Sequence, residues 1–324
     1  MNKKRDLGQF FTKNQVWLQP QIIEFISTIE TDNVLDPFAG DGDLLKVAED
    51  VFSKQISGYD IDNSLDWVWN DSLVSIPKTE ALIITNPPYY AKHTAFTKKS
   101  SSYRYFEDSP YDNLYQIALE KCLLASSYVV AIVPESFILA NVLLERLQSI
   151  TVLEENPFND TTIPVCVVCF GDKSTTLNDI KIYKGDQYCL TLNELISFNK
   201  TPKKTLNVSF NMLDGQLGVR CIDGVGIEDN IRFCLPCELD YDLSKMNKNS
   251  RFITVAKLDY EGDIELLIKV ANKVLADYRV NTHDLSMLAF RSNKKNGVRR
   301  RRIDFKTVRA ILEEAIELIE TMTY

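Results

Sequence analysis

Val34-Leu35-Asp36-Pro37-Phe38-Ala39-Gly40-Asp41-Gly42 runs directly into Asp43-Leu44-Leu45-Lys46-Val47-Ala48. The stretch reads as a short apolar strand, a glycine turn and the first turns of a helix. Gly40 and Gly42 let the backbone come close to a nucleoside-type ligand. The spacing is not the Gly-x-Gly-x-x-Gly of dinucleotide binders, and Asp36 and Asp41 beside the turn would repel a pyrophosphate. They suit instead the amine of a methionine-type sulfonium. Asp60, in Gly58-Tyr59-Asp60-Ile61-Asp62, stands at the end of a second apolar run, where a carboxylate suits ribose hydroxyls. Asp71, in Asn70-Asp71-Ser72-Leu73, falls at a third strand and could accept from an adenine amine. Each carboxylate alone is an ordinary surface residue. Together, at successive strand ends, they point to S-adenosylmethionine as the cofactor.

Working outward, strands are expected near 33–36, 56–60, 66–69, 81–85, 128–133, 149–153 and 164–170. Helical patterns fall near 15–29, 43–52, 112–126 and 136–147. The alternation predicts a doubly wound α/β sheet. Asp172-Lys173-Ser174-Thr175-Thr176 reads as a junction, giving one domain over residues 1–172 and a second over 173–324. In the second, Ile180-Lys181-Ile182-Tyr183 and Arg251-Phe252-Ile253-Thr254-Val255 read as strands, and 262–279 and 305–323 as helices.

The apolar run Ala81-Leu82-Ile83-Ile84-Thr85 ends in Asn86-Pro87-Pro88-Tyr89. By itself this could be an ordinary turn, but it follows a strand whose carboxyl end lies where open sheets bind ligands. An exocyclic amine such as adenine N6 is a poor nucleophile, because its lone pair is delocalised. The Asn86 side-chain oxygen and the Pro87 carbonyl can each accept one N–H and localise that pair; acceptors held in place for developing charge are a large catalytic term. The prolines stiffen the turn, and Tyr89 offers a flat face to a planar base.

With these segments in place, the chain resembles the adenine-N6 DNA methyltransferases of restriction-modification systems, in the group whose catalytic motifs precede a C-terminal target-recognition region. The resemblance covers roughly residues 7–170. It implies that Leu7-Gly8-Gln9-Phe10-Phe11-Thr12 lies against the cofactor's methionine end, through Phe11 and Thr12. It further implies that Asp36, Phe38, Gly40 and Gly42 form the cofactor loop, with Asp60 at the ribose, Asp71 at the cofactor adenine, and Asn86 facing both cofactor and target. Asn113-Leu114-Tyr115 resembles the opening of the helix after the catalytic strand, and Tyr128 to Pro134 the strand that follows. Asn156-Pro157-Phe158 with Thr162 to Phe170 resembles the last family motif, in which Phe158 packs on the extruded base. The implied fold is a methyltransferase sheet, ending in an antiparallel hairpin near 149–170, followed by an α+β target-recognition domain. Ala39 and Asp41 stand at positions that vary in the family.

The 324 residues, 45% hydrophobic, suffice for two modest cores. No apolar stretch approaches a membrane span and no signal-like core precedes the first motif, so a cytoplasmic protein is expected. Seven cysteines include Cys166/Cys169 and Cys234/Cys237, but positions i and i+3 of a strand face opposite ways. No metal site is expected.

The net charge of -8 argues against a nucleic-acid partner until it is divided. Residues 1–170 hold 13 Lys+Arg against 23 Asp+Glu, and residues 171–324 hold 24 against 22. Lys294, Lys295, Arg299, Arg300, Arg301 and Arg302 form the densest cation cluster. Its plain interpretation is a solvated loop; phosphate contacts, with one arginine reaching guanine, are the functional one. A second segment carries Lys92, His93, Phe96, Lys98, Lys99, Tyr103, Arg104, Tyr105 and Phe106. It lacks periodicity and reads as a loop that orders on nucleic acid. The expected partner is therefore duplex DNA, with a companion restriction endonuclease in a restriction-modification setting, and the expected state is a monomer. Base extrusion would bring N6 to Asn86 and Pro87. Adenine-N6 RNA methylation, glutamine-amide methylation of release factors and cytosine-N4 methylation use the same amine chemistry and stay open, as does a non-catalytic DNA-binding specificity subunit.

Overall fold

The computed structural model describes residues 15–158, 161–247 and 249–322. These residues divide after Asn193 into two compact units.

In the first unit, helix α1 (Pro20–Ser27) starts with Pro at its first position and buries Ile22 and Ile26, one turn apart. Strand β1 (Asn33–Asp36) leads through the glycine turn to α2 (Asp43–Phe52). Gly42 is the N-cap of α2 in the left-handed region, φ 78°, and Asp43 places a negative charge in the first turn. Then follow β2 (Gln55–Asp60), β3 (Val68–Trp69), β4 (Leu82–Thr85), α3 (Lys92–Thr97) and α4 (Leu114–Ala125). Gln116 Oε1 closes the start of α4 by accepting from the Asn113 amide at 3.0 Å. Strands β5 (Val129–Pro134), β6 (Leu147–Val152), β7 (Val165–Phe170), β8 (Lys181–Lys184) and β9 (Gln187–Thr191) complete the sheet.

The strand order is β3-β2-β1-β4-β5-β7-β6-β8-β9. Strands β1 to β5 are mutually parallel, and β7 runs antiparallel to both β5 and β6. Every residue of β4 and β7 is buried, as expected for strands covered on both faces. The chain moves outward from β1 through β2 to β3 and returns to β4, so the switch point lies at the carboxyl ends of β1 and β4.

Two expectations fail in detail. The apolar spacing at 136–147 predicts a helix, but only a 3-10 turn forms, at Glu135–Leu139. Asn141 and Leu143 then take φ of 50° and 56°, and a right-handed helix cannot pass through left-handed residues. The strand at Ile180 to Tyr183, expected in the second domain, is β8, which pairs parallel with β6 from Ser149 to Val152. The first sheet therefore continues beyond residue 172.

In the second unit, β10 (Val208–Phe210), β11 (Leu217–Arg220), β12 (Arg232–Cys234) and β13 (Ile253–Leu258) form an antiparallel sheet in the order β10-β13-β11-β12. Helices α5 (Ile264–Asn281) and α6 (Phe305–Met322) share its core, with Val219, Leu267, Ala271, Ile311 and Leu312 at the centre. Asp263 caps α5 by accepting from the Glu265 and Leu266 amides at 2.9 and 3.2 Å. A separate ribbon, β14 (Leu288–Asn293) and β15 (Arg299–Arg302), precedes α6. This unit is α+β.

Candidate active site

The glycine turn is tied down by two acids, one at the end of β1 and one at the end of β2. Asp36 Oδ1 accepts from the Phe38 amide at 2.9 Å and from the Thr85 hydroxyl at 2.6 Å. Asp60 Oδ2 accepts from the Gly40 amide at 2.9 Å, and its Oδ1 from the Asp62 amide at 2.8 Å. Burial pushes the Asp36 carboxyl up to about 7, although the Thr85 and Phe38 hydrogen bonds oppose the shift; nearby Asp60 adds to it. A cation beside this carboxyl would favour its ionised form.

Trp67 is the residue that sequence inspection missed. Its indole N–H donates to the Gly40 carbonyl at 2.8 Å. A Cβ on Gly42 would stand 2.7 Å from the Trp67 ring, and one on Gly58 would stand equally near it and 2.8 Å from Ala39 Cβ. Gly42 thus makes room for an indole as well as for a left-handed backbone. No periodicity marks Trp67; it lies in the irregular stretch before β3.

A cleft of about 850 Å³, counting its open mouth, lies at the switch point. Asp36, Phe38, Gly40, Asp60, Asp71 and Asn86, all expected at a cofactor, line it together. Gly42 is not among the lining residues. Phe11 and Thr12 lie outside the described residues. The volume suits a nucleoside-sized ligand.

Asn86-Pro87-Pro88-Tyr89 follows β4 at the cleft wall. The Tyr89 hydroxyl meets two oxygens, Asn86 Oδ1 and the Ile132 carbonyl, the latter at 2.7 Å. Burial raises the Tyr89 phenol well above its usual value, so it stays a donor. Its ring meets Tyr115 and Phe158 edge to face, each with centroids 6.4 Å apart, at 89° and 67°. Tyr89 and Phe158 are 7% and 4% exposed. Rings in edge contact leave no parallel slot, so the flat face expected of Tyr89 is not presented in this arrangement. A planar base would enter only as the two rings separate.

The aromatic and basic segment after the turn is an ordered cap. Helix α3 and a 3-10 turn at Ser101–Phe106 enclose a small core of Tyr90, Ala95, Phe106, Leu114 and Ile117. Tyr105 and Ser102 reach the cleft lining. Asp71 Oδ2 accepts from the Tyr105 hydroxyl at 2.8 Å and from Arg104 at 3.0 Å. Arg104, expected at nucleic acid, and Asp71, expected at adenine, are therefore partners of each other. Lys98 and Lys99 are exposed and Lys92 is half-buried.

In the second unit the arginine run is strand β15, not a solvated loop. Arg301 is 1% exposed and Lys294 8%, which removes both from the surface where phosphate contacts were expected. The alternation of a strand turns the Arg301 side chain inward, and its backbone amide donates to Asp223 Oδ2 at 3.0 Å. Lys294 Nζ donates to the Ile227 carbonyl at 3.0 Å and to Asn230. Arg300 donates to the Asp223 carbonyl at 2.6 Å and lies over the Phe290 ring. Lys295 is exposed; Arg299 and Arg302 are half-buried.

The strand order is that of an open, doubly wound α/β sheet, parallel from β1 to β5 and antiparallel at β7. No protein-family model and no curated protein matches the chain. Among solved structures, the chain is similar to a candidate class I S-adenosylmethionine-dependent methyltransferase from Listeria monocytogenes, at 13% identity over 52% of this chain and 64% of that one, TM-score 0.35. It is similar to the methyltransferase subunit of a type I restriction-modification system from Streptococcus thermophilus, at 16% identity over 59% of this chain and 53% of that one, TM-score 0.40. A candidate RNA methyltransferase from Pyrococcus horikoshii aligns at 17% identity over 53% of this chain and 100% of that one, TM-score 0.32. The chain spans less than two thirds of each of the first two. Likeness at these scores carries no inference about activity.

Proposed function

We propose that the chain is an S-adenosylmethionine-dependent methyltransferase that modifies adenine N6 in duplex DNA after the base is extruded, in a restriction-modification setting. The observation that carries this reading is the meeting of Asn86 with Asp36, Asp60 and Asp71 around one cleft at the switch point. An acidic lining with a half-titrated Asp36 fits a ligand that bears an ammonium and a sulfonium, and further carboxylates fit ribose hydroxyls. When bound, the cofactor supplies an electrophilic methyl group.

The chain's own residues do the rest. Asn86 Oδ1 and the Pro87 carbonyl each accept one amine N–H and localise the nitrogen lone pair. Tyr89 releases Asn86 Oδ1 as the amine takes its place, and its ring and that of Phe158 part to hold the base. No early base is required, because the amine becomes acidic only as it is alkylated. Lys92, Lys98 and Lys99 on the cap, and Lys295, Arg299 and Arg302 on the ribbon, supply phosphate contacts.

Purified chain is incubated with methyl-labelled S-adenosylmethionine and, separately, with duplex DNA, RNA and a release factor. Label in N6-methyladenine from DNA is the expected result. Label in RNA, in a glutamine amide or in N4-methylcytosine overturns the substrate and keeps the amine chemistry; absence of label from all three favours a non-catalytic subunit.

A further inference from the structure

Loop 223–230 and the β14–β15 hairpin are joined at their base by Asp223, which is wholly buried. Its main-chain carbonyl accepts from Arg300, and its carboxylate, besides the Arg301 amide, accepts from the Ile231 amide at 3.0 Å and from Arg279 at 2.9 and 3.1 Å. Nearer the tips, the Lys295 amide donates to the Val225 carbonyl at 2.9 Å, and Lys294 bridges to Ile227 and Asn230. The hairpin turn is closed by the Lys294 amide on the Val298 carbonyl at 2.8 Å, with Gly297 at φ 85°. Two loops distant in sequence are thus one stiff prong.

The tip of this prong exposes three aliphatic side chains among polar ones. Val225, Ile227 and Val298 are 50%, 53% and 48% exposed. A single exposed aliphatic means little, but three on loops hydrogen-bonded to each other form a patch. Exposed Arg291 and Lys295 belong to the same hairpin. Asp229 is neutralised by Arg220 at 2.5 Å, leaving Glu228 as the exposed acid of the loop. Burying the Asp223–Arg279 pair costs desolvation that apolar residues would avoid, so its return is position. An aliphatic tip with cationic flanks is complementary to a duplex groove: cations take the phosphate rims, and aliphatics meet thymine methyls. A two-stranded ribbon fits a major groove about 12 Å wide.

We propose that this prong enters the major groove of duplex DNA and reads sequence there through Val225, Ile227 and Val298. The inference rests on duplex DNA being the substrate, and it assigns recognition to the aliphatic tip instead of to the arginine run.

Full-length chain is mixed with a pool of short duplexes of randomised centre, and the bound and the methylated duplexes are sequenced. The wild type is expected to enrich one sequence. Ile227→Ser with Val298→Ser should bind the pool as a whole nearly as well, while the enrichment falls by about tenfold or more, the discrimination of one base pair. Asn296→Cys at the tip should crosslink, by thiol–disulfide exchange that releases a small thiol, to a duplex carrying a tethered mixed disulfide in the major groove, above the level of wild type, which keeps the test sound if the double variant melts early. An unchanged sequence preference in a stably folded double variant, or no crosslink above wild type, overturns the prong and leaves the methyltransferase reading intact. A wild type that enriches no duplex and methylates RNA or protein overturns the DNA reading and the prong with it.

Discussion

The Tyr105 hydroxyl donates to Asp71 Oδ2 over 2.8 Å, and Arg104 donates to the same oxygen over 3.0 Å. The cap that follows the turn after β4 is thereby fastened to the acid expected to recognise adenine. An adenine amine and the Tyr105 hydroxyl compete for that carboxylate. Tyr105→Phe should tighten S-adenosylmethionine binding, and Asp71→Ala should weaken it by about tenfold, the loss of a hydrogen bond to a charged group. Isothermal titration reads both; weaker binding by Tyr105→Phe would show that the hydroxyl helps the ligand instead of competing with it.

Asn86→Ala should retain cofactor and duplex binding while turnover falls by about 10²- to 10³-fold, the usual loss of one held partner. Tyr89→Phe keeps the ring and removes the donor from Asn86 and Ile132. It should lower stability by about 1 kcal/mol and spare most turnover. Single-turnover kinetics beside thermal melts separate the two roles.

Asp36 yields a pH dependence with a definite sign. Its folded value of about 7 lies above the ordinary 3.8, so between these values the folded state holds more proton than the unfolded state. Its contribution to stability is full below 3.8 and declines as pH rises toward 7. Asp36→Asn should flatten that slope in denaturant titrations across the range. A cationic ligand favours the ionised form, so S-adenosylmethionine affinity should rise through pH 7 with release of a proton, seen as a heat that depends on the buffer.

Gly42→Ala meets both the Trp67 ring and a left-handed backbone. It should cost about 1–3 kcal/mol. Gly42→Ala combined with Trp67→Ala should recover the steric part, since the strain in φ persists, and melts of the three variants partition the two.

Asp223→Ala would leave half-buried Arg279 without one of its two acid partners and the Ile231 and Arg301 amides without their acceptor. A loss of about 3–5 kcal/mol is expected. Asp223→Asn should cost less, because the amide oxygen can still accept. Limited proteolysis should then cut first after Glu194, in the second unit.

Much of the first unit was legible because its signals are local. A strand, a glycine turn and a helix occupy 34–52 without gaps, and Asp60, Asp71 and Asn86 follow successive short apolar runs. What escaped depends on distant partners. Strand β8 looks the same in sequence whether it opens a new domain or pairs with β6, and only the register from Ser149 to Lys184 decides. The spacing at 136–147 is helical, yet left-handed Asn141 and Leu143 end it. Trp67 has no pattern around it. A run of four arginines reads as surface charge, whereas the pleat of β15 buries the Arg301 side chain. Tyr89 reads as a free face in sequence, because the rings of Tyr115 and Phe158 that meet it are far along the chain.

The buried carboxylate of Asp223 separates foundation from contact. Because it grips main-chain groups of Ile231 and Arg301 together with one fixed arginine, the residues at the ends of the two loops carry none of that duty. They are open to replacement without disturbing what lies beneath them. A lineage could revise the molecule's choice of target by exchanging three or four side chains, and an experimenter could shuffle the same positions in a library while the scaffold stays as it is.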